Sequence, residues 1–183
     1  MHMIYTHKEL ETTFKSDYQI KKAIAEGKIY KIERGIYSKS PSVHPLDVIS
    51  KKYPHAVFTM ESAFYFHGLT DVIPQKMHLA VIRTSSRRIS SRSIVQVFVL
   101  EKLLEIGKTQ IVFDGASINV YNKERMLIEL IRNKKRLAFD YYKEIISSYR
   151  RRINELLVCD IEDYIKAFDT EDFLFKTIQE EVF

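Results

Sequence analysis

The sequence contains few of the residues that mark several common classes of protein. Its 183 residues include one cysteine, no tryptophan, four prolines and five glycines. The single cysteine, Cys159, cannot form an internal disulfide or a cysteine-based metal site, which indicates a reducing compartment. Because Cys159 follows the apolar "ELLV", we expect it to be a small core residue.

Long apolar runs are also missing. No stretch approaches the roughly 20 apolar residues of a membrane-spanning helix, and the N-terminal region is too charged for a signal peptide. The hydrophobic content of 45% and the aromatic content of 12% are nevertheless enough for a packed core. We therefore expect a folded cytoplasmic protein that does not associate with membranes.

Motifs of catalysis and of cofactor binding are absent. There is no GxxxxGK phosphate loop, no GxSxG turn and no pair of histidines at metal-ligand spacing. Glu61 lies at the start of a predicted helix, where a carboxylate stabilises the helix dipole, and His67 lies at the end of the same helix. Asp71 lies beyond that helix, and no third ligand accompanies it. The sequence therefore predicts no catalytic residue, no metal, no cofactor and no enzymatic activity.

Charge is distributed unevenly along the chain. The formal net charge is +5, yet residues 160–183 contain eight acidic and only two basic side chains. A basic body is typical of proteins that bind polyanions, and we expect the acidic 160–183 segment to form helices docked on that body. The clusters that are candidates for additional polyanion contacts are Arg83, Arg87, Arg88 and Arg92, and Arg132, Lys134, Lys135 and Arg136.

Two short helices and a hairpin are predicted near the N-terminus. "THKELETTF" has Thr6 at the N-cap and Glu9 at capping-box spacing. "KSDYQIKKAIAEG" has Ser16 as N-cap and ends at Gly27. The strands "KIYKIE" and "IYSK" then follow, joined by a turn at Arg34-Gly35.

This order predicts a winged helix-turn-helix over residues 1–42. Ile20, Ala23 and Ile24 form the apolar face of the second helix, so its other faces are available to a DNA groove, and the hairpin tip can contact phosphates. The residues expected to bind DNA are Ser16, Tyr18, Gln19, Lys21, Lys22, Lys31 and Arg34.

Residues 43–183 are predicted to form a larger α+β domain after the boundary segment "SPSVHPLD". "KMHLAVIR" and "SIVQVFVL" are expected to be strands, and "TQIVFDGASINVYN" a hairpin turned at Asp114-Gly115. Asn122 is expected to cap the helix "KERMLIELIRN", and helices continue to the C-terminus. We expect a mostly antiparallel sheet.

Three segments together resemble a known family. "YQIKKAIAEGKIYKIERGIYS", "FTMESAFYFHGLTDVIPQKMHLAV" and "INVYNKERMLIELIRNKK" are similar, in order and spacing, to AbiEi-type antitoxins of type IV (abortive infection) toxin–antitoxin systems. The resemblance covers roughly residues 5–150. It implies a winged-helix autorepressor that binds inverted repeats in duplex DNA at its own operator. It also implies a nucleotidyltransferase-like toxin as functional partner, neutralised without a stable complex.

The resemblance is carried by particular positions. Met126 and Glu129 depart from the family, which usually has threonine and aspartate there. The matching positions are Gly35 and Tyr37, then Glu61, Ser62, Ala63, His67, Gly68 and Leu69, then Glu124, Arg125 and Leu127.

The sequence thus predicts a non-catalytic DNA-binding transcriptional regulator, with or without a cognate toxin. The alternative is a nucleic-acid-processing enzyme or an RNA-binding antitoxin whose activity lies in the second domain. The two interpretations differ in whether the second domain presents its basic side chains on a separate concave surface.

Overall fold

The structure is a computed structural model that describes residues 3–83, 89 and 91–183. It confirms a mixed α and β protein. The chain divides into two compact units, Met1–Ala56 with Gln110–Ile118, and Val57–Thr109 with Asn119–Phe183. In the described part of the chain, every helix is too short or too polar to cross a membrane.

The first unit contains three helices and three strands among its described residues before residue 57. The elements are β1 (Ile4–Thr6), α1 (His7–Phe14), α2 (Asp17–Ala25), β2 (Tyr30–Glu33), β3 (Ile36–Ser38) and α3 (Pro45–Lys52). The strands form an antiparallel sheet in the order β1-β3-β2. β1 was not predicted, because three residues carry too little pattern and its pairing with β3 supplies the hydrogen bonds that define it.

The helix ends of this unit follow from local chemistry. The Thr6 hydroxyl accepts the Glu9 N–H at 3.3 Å, and the Glu9 carboxylate accepts the Thr6 N–H at 2.7 Å, which confirms the capping box. Lys15 ends α1 in the left-handed region at φ 60°. The Ser16 hydroxyl then accepts the Gln19 N–H at 3.3 Å, so α2 begins after a two-residue turn.

Five buried residues form the core of this helical and sheet region. They come from α1, α2, the start of the hairpin and β3, and they fix α2 against the sheet. The core residues are Leu10, Ile20, Ala23, Ile29 and Tyr37. Ile20 and Ala23 face this core as predicted, and Ile24 packs against it while partly buried, so the other side chains of α2 are left to solvent.

The second unit contributes most of a five-stranded sheet and the C-terminal helices; residues 110–118, which form parts of two of the strands and the turn between them, belong to the first unit. Its strands are β4 (Val57–Phe58), β5 (Met77–Ile82), β6 (Ile94–Val99), β7 (Lys108–Phe113) and β8 (Ala116–Tyr121). Its helices are α4 (Met60–Phe66), α5 (Glu101–Leu104), α6 (Lys123–Arg132), α7 (Phe139–Arg151), α8 (Val158–Ile165) and α9 (Glu171–Glu181). Short 3-10 turns are formed by Lys134–Arg136 and Ile153–Glu155.

The sheet order is β6-β5-β4-β8-β7, and the expectation of a mostly antiparallel sheet is wrong. β5 and β6 pair in parallel along their whole length, and β4 pairs in parallel with β8 at Phe58 and Val120. A parallel pair cannot be joined by a two-residue hairpin and needs a longer connection between its strands. The direction of β6 relative to β5 depends on that connection, and the residue pattern of neither strand determines this direction.

Two local predictions for this unit are confirmed. Asp114 and Gly115 have φ values of 48° and 79° and form the two-residue turn between β7 and β8. The Asn122 side chain accepts the Arg125 N–H at 3.0 Å and caps α6.

The acidic C-terminal segment packs on its own unit through apolar side chains. Glu181 also accepts hydrogen bonds from Lys134 and from the Tyr142 hydroxyl. Cys159 is exposed near the start of α8, so its expected core position is wrong: Ile161 takes the inward-facing place instead. The buried residues of the segment are Ile161, Ile165, Phe168, Leu174, Ile178 and Val182.

Candidate nucleic-acid interface

The outer surface of α2 carries side chains that do not contribute to the core. Tyr18 is 74% exposed, although it is a large aromatic residue, and Gln19, Lys21 and Lys22 are also exposed. Ser16 is exposed as well, but its hydroxyl oxygen is engaged as the N-cap of α2. Its hydroxyl hydrogen stays available to an acceptor such as a phosphate oxygen.

The basic side chains of this surface are weakly neutralised. Lys22 lies 3.8 Å from the Glu26 carboxylate, which is more closely paired with Lys28 at 2.7 Å. Lys21 and Lys31 are exposed and form no ion pair with any described residue. Most of the positive charge on this surface is therefore free to meet a polyanion.

The tip of the β2–β3 hairpin presents a single arginine. Arg34 is exposed and Gly35, at φ 82°, makes the turn. The neighbouring Glu33 pairs instead with Lys52 on α3 at 2.8 Å, and this hydrogen bond raises the pKa of Lys52. Arg34 consequently has no ion-pair partner within the described residues.

One group of side chains beside the two helices has metal-ligand chemistry. The two ring nitrogens of His7 lie 3.4 Å from the Glu11 carboxylate and 3.4 Å from the Asp17 carboxylate. Both acids are exposed. His7 and Glu11 lie on α1 and Asp17 begins α2, so the three side chains bring the two helices together at this point.

The second set of predicted polyanion contacts has mixed outcomes. Arg83 and Arg92 are exposed, whereas Arg87 and Arg88 lie outside the described residues. Arg132 and Lys134 are engaged, with Glu129 and Glu181 respectively. Lys135 and Arg136 are exposed and, in the described ranges, unpaired.

A buried charge network in the second unit was not predicted. Arg125 is fully buried, and its Nε and Nη2 donate to the Glu129 carboxylate at 3.1 and 2.7 Å. Its Nη1 donates to the carbonyls of Leu103 and Ile106 at 3.2 and 3.4 Å. Arg125 and Glu129 are four residues apart within an apolar helical pattern, which is the signal that could have revealed the pair.

A pocket of about 460 Å³ lies beside this network. Its lining comes from α5, from the end of α6 with the following 3-10 turn, and from the residues leading into α9. Its lining residues include Leu100, Lys102, Arg132, Lys135, Arg136, Phe168, Asp169 and Phe173.

Most positions that carry the family resemblance have structural roles. The Ser62 hydroxyl accepts the His78 N–H at 2.8 Å and so attaches α4 to β5. The Glu124 carboxylate accepts the Leu157 N–H at 3.1 Å. His67 is the C-cap of α4, as predicted for a helix-end residue, and its Nε2 donates to the Tyr121 carbonyl at 2.7 Å.

The buried state of His67 leads to a prediction about pH. Burial lowers the pKa of His67 in the folded protein, so folding favours the neutral ring. The contribution of the neutral ring to the free energy of unfolding is complete above the unfolded pKa of about 6.5, and it is lost as the pH falls below that value. Urea denaturation should show that the free energy of unfolding falls more between pH 7.5 and pH 5.5 for wild type than for His67→Gln, because glutamine at this position does not titrate. Equal losses would contradict this assignment.

No protein-family model matches the chain, and no curated protein matches it either.

Proposed function

We propose that the protein is a DNA-binding transcriptional regulator whose first unit is a winged helix-turn-helix. The observation that carries the proposal is the exposed surface of α2, with Tyr18, Lys21 and Lys22, beside a hairpin tip with an unpaired Arg34. Exposed aromatic and basic side chains that support no part of the fold are typical of a nucleic-acid surface. The shared core also supports it, because Ile29 and Tyr37 of the hairpin region pack with Ile20 and Ala23 of α2.

In the proposed mechanism, α2 enters the major groove of the operator. The Gln19 amide reads an adenine edge through two hydrogen bonds, and Tyr18 contacts bases or sugar. Lys21, Lys22 and Ser16 hold phosphates on either side of the groove. Arg34 then contacts the adjacent phosphate backbone or minor groove, with Lys31 behind it on β2.

The proposed biological role is that of an autorepressor and antitoxin of an AbiEi-like type IV toxin–antitoxin system. The resemblance of the three sequence segments supports this role. A neighbouring gene for a nucleotidyltransferase-like protein should be toxic when expressed alone and harmless when the two are co-expressed. Gel filtration of the two proteins should show no stable complex.

We also propose that the chain acts without catalysis. His67 is committed to the Tyr121 carbonyl, and the Ser62 hydroxyl to the backbone of β5. The pure protein should therefore show no metal-dependent cleavage or nucleotidyl transfer. Activity that disappears in Glu61→Gln or Asp71→Asn would overturn this part.

The DNA-binding proposal is tested by fluorescence anisotropy with a labelled duplex from the protein's own upstream region. Lys22→Glu and Arg34→Glu should each raise the Kd by about tenfold or more. Each should also reduce the slope of log Kd against log salt concentration by about 1 per lost phosphate contact. Gln19→Ala should cost about 1–3 kcal/mol on the operator and less on a scrambled duplex. Thermal melts would check that each variant is folded.

Lys39→Glu is the matched control. Lys39 is exposed at the end of the hairpin opposite to Arg34, so this variant makes the same charge change away from the proposed contact surface. It should bind nearly as wild type does. If Lys39→Glu weakens binding as much as Arg34→Glu, or if the α2 and hairpin-tip variants bind normally, the proposed interface is wrong.

A further inference from the structure

The pocket beside the buried charge network has two chemically different parts. Four of its lining side chains are cationic, and they come from α5, the end of α6 and the 3-10 turn after it. The residues before and within the first turn of α9 add a carboxylate and aromatic rings. Its volume of about 460 Å³ is within the usual range of small-molecule sites. The cations are Lys102, Arg132, Lys135 and Arg136.

Arg132 is held in a fixed orientation at this pocket. Its Nη1 donates to both Glu129 oxygens, at 3.0 and 2.9 Å, and its guanidinium carbon lies 4.5 Å from the centre of the Phe168 ring. Its Nη2 and Nε form no hydrogen bond with described residues. A guanidinium that is already ordered and still has free donors suits a phosphate, because little side-chain entropy is lost on binding.

The charge of Arg132 is only partly neutralised. Glu129 is shared between Arg132 and the buried Arg125, so one carboxylate serves two guanidinium groups. Lys135 and Arg136 follow within one turn and, in the described part of the chain, neither forms an ion pair. This part of the pocket therefore carries an excess of positive charge.

The apolar part of the pocket is unusual for a site that binds only inorganic anions. Phe173 is 58% exposed and Leu100 is 45% exposed, and both line the pocket. Asp169 adds one hydrogen-bond acceptor on the same side. An inorganic anion alone would not need the apolar side chains or the Asp169 carboxylate. A ligand with a planar ring and a sugar would pack its ring on the apolar side chains and hydrogen-bond its sugar to Asp169.

We propose that this pocket binds a nucleotide. The phosphate is held by Arg132, Lys135 and Arg136, the base packs on Phe173, and Asp169 accepts a hydrogen bond from a ribose hydroxyl. The ligand is either a free nucleotide or the terminal nucleotide of a single RNA strand, since both present the same groups. This site is separate from the DNA-binding residues proposed for the first unit, so either proposal can fail without the other.

Isothermal titration of the full chain with ATP, AMP, adenosine and inorganic phosphate tests the site. ATP should bind more tightly than AMP, phosphate should bind weakly, and adenosine should give no signal. Lys135→Ala/Arg136→Ala should weaken ATP binding at least tenfold. Phe173→Ala should weaken ATP and AMP binding several-fold and leave the affinity for phosphate unchanged.

Lys166→Ala/Lys176→Ala is the matched control, because it removes the same charge from exposed lysines that do not line the pocket. It should bind ATP as wild type does. A 5′-phosphorylated single-stranded pentaribonucleotide distinguishes the two sources of the ligand. If it binds tenfold more tightly than ATP through the same residues, the ligand is the end of an RNA strand. If it binds more weakly than ATP, the ligand is a free nucleotide. Absence of ATP binding at millimolar concentration, or equal losses in the control and the pocket variant, would overturn the proposal.

Discussion

Replacement of Arg125 by methionine is expected to lower the free energy of unfolding by about 3–5 kcal/mol. The guanidinium of Arg125 is fully buried between the Tyr121 and Phe168 rings, with both ring centres 4.7 Å away. Methionine fills similar volume but donates no hydrogen bond. The Leu103 and Ile106 carbonyls would lose their donor, and the buried Glu129 carboxylate would keep only Arg132 and a longer hydrogen bond from the Asn133 amide.

Urea denaturation followed by circular dichroism would measure this loss. The double variant Arg125→Met/Glu129→Met should recover part of it, because removing both buried charges avoids the cost of leaving one unpaired. Arg132→Met is the comparison variant, and it should cost less because Arg132 is partly exposed. If Arg125→Met is within about 1 kcal/mol of wild type, the network contributes little to stability.

Gly107→Ala is expected to be the other strongly destabilising substitution. Gly107 has φ 71°, and an added Cβ would lie 2.4 Å from the Arg125 Cβ and 2.8 Å from the Asn122 Oδ1. The Gly107 carbonyl also accepts the Asn122 N–H at 2.7 Å, so the backbone cannot move away without disturbing the cap of α6. Left-handed strain of about 1–2 kcal/mol and overpacking of about 1–3 kcal/mol together predict a loss of about 2–5 kcal/mol.

Gly115→Ala separates the two contributions. Gly115 has a similar φ of 79°, but its Cβ would meet no atom within 4 Å. Only the strain remains, so this variant should lose about 1–2 kcal/mol. Thermal melting of both variants should show a clearly lower Tm for Gly107→Ala. Equal shifts would mean that the crowding at Gly107 is relieved at no cost.

Features that depend on neighbouring residues in the sequence were predictable. The caps at Thr6, Ser16 and Asn122 each join a side chain to a backbone group three residues away. The Asp114-Gly115 turn depends on two residues that tolerate positive φ. Such interactions have nearly the same geometry in any fold, and the sequence therefore contains enough to place them.

Features that depend on distant residues were not predictable. β4 is a two-residue strand that exists because β5 and β8 pair with it on either side. The exposed Cys159 and the buried Arg125 have the reverse of the environments that their residue types favour. The pocket collects residues from positions 100–173, and nothing local to any one of them indicates that they meet.

The candidate DNA-binding residues are an intermediate case. The helical period correctly separated Ile20 and Ala23 from the exposed Lys21 and Lys22. That Arg34 is left unpaired could not be predicted, because Lys52, which takes Glu33, is 18 positions beyond Arg34.

The division of the chain has a consequence for synthesis. The first unit includes residues 110–118, so a growing chain that has reached residue 56 still lacks part of it. A ribosome adds roughly 5–20 residues per second, and domains usually fold as they emerge. Here all residues of the first unit are present only after β4 to β7 and the first half of β8 have been translated. A chain released before residue 118 would therefore lack the part of the first unit that lies in the β7–β8 hairpin, although the core between Leu10 and Tyr37 that holds α2 against the sheet would already be present.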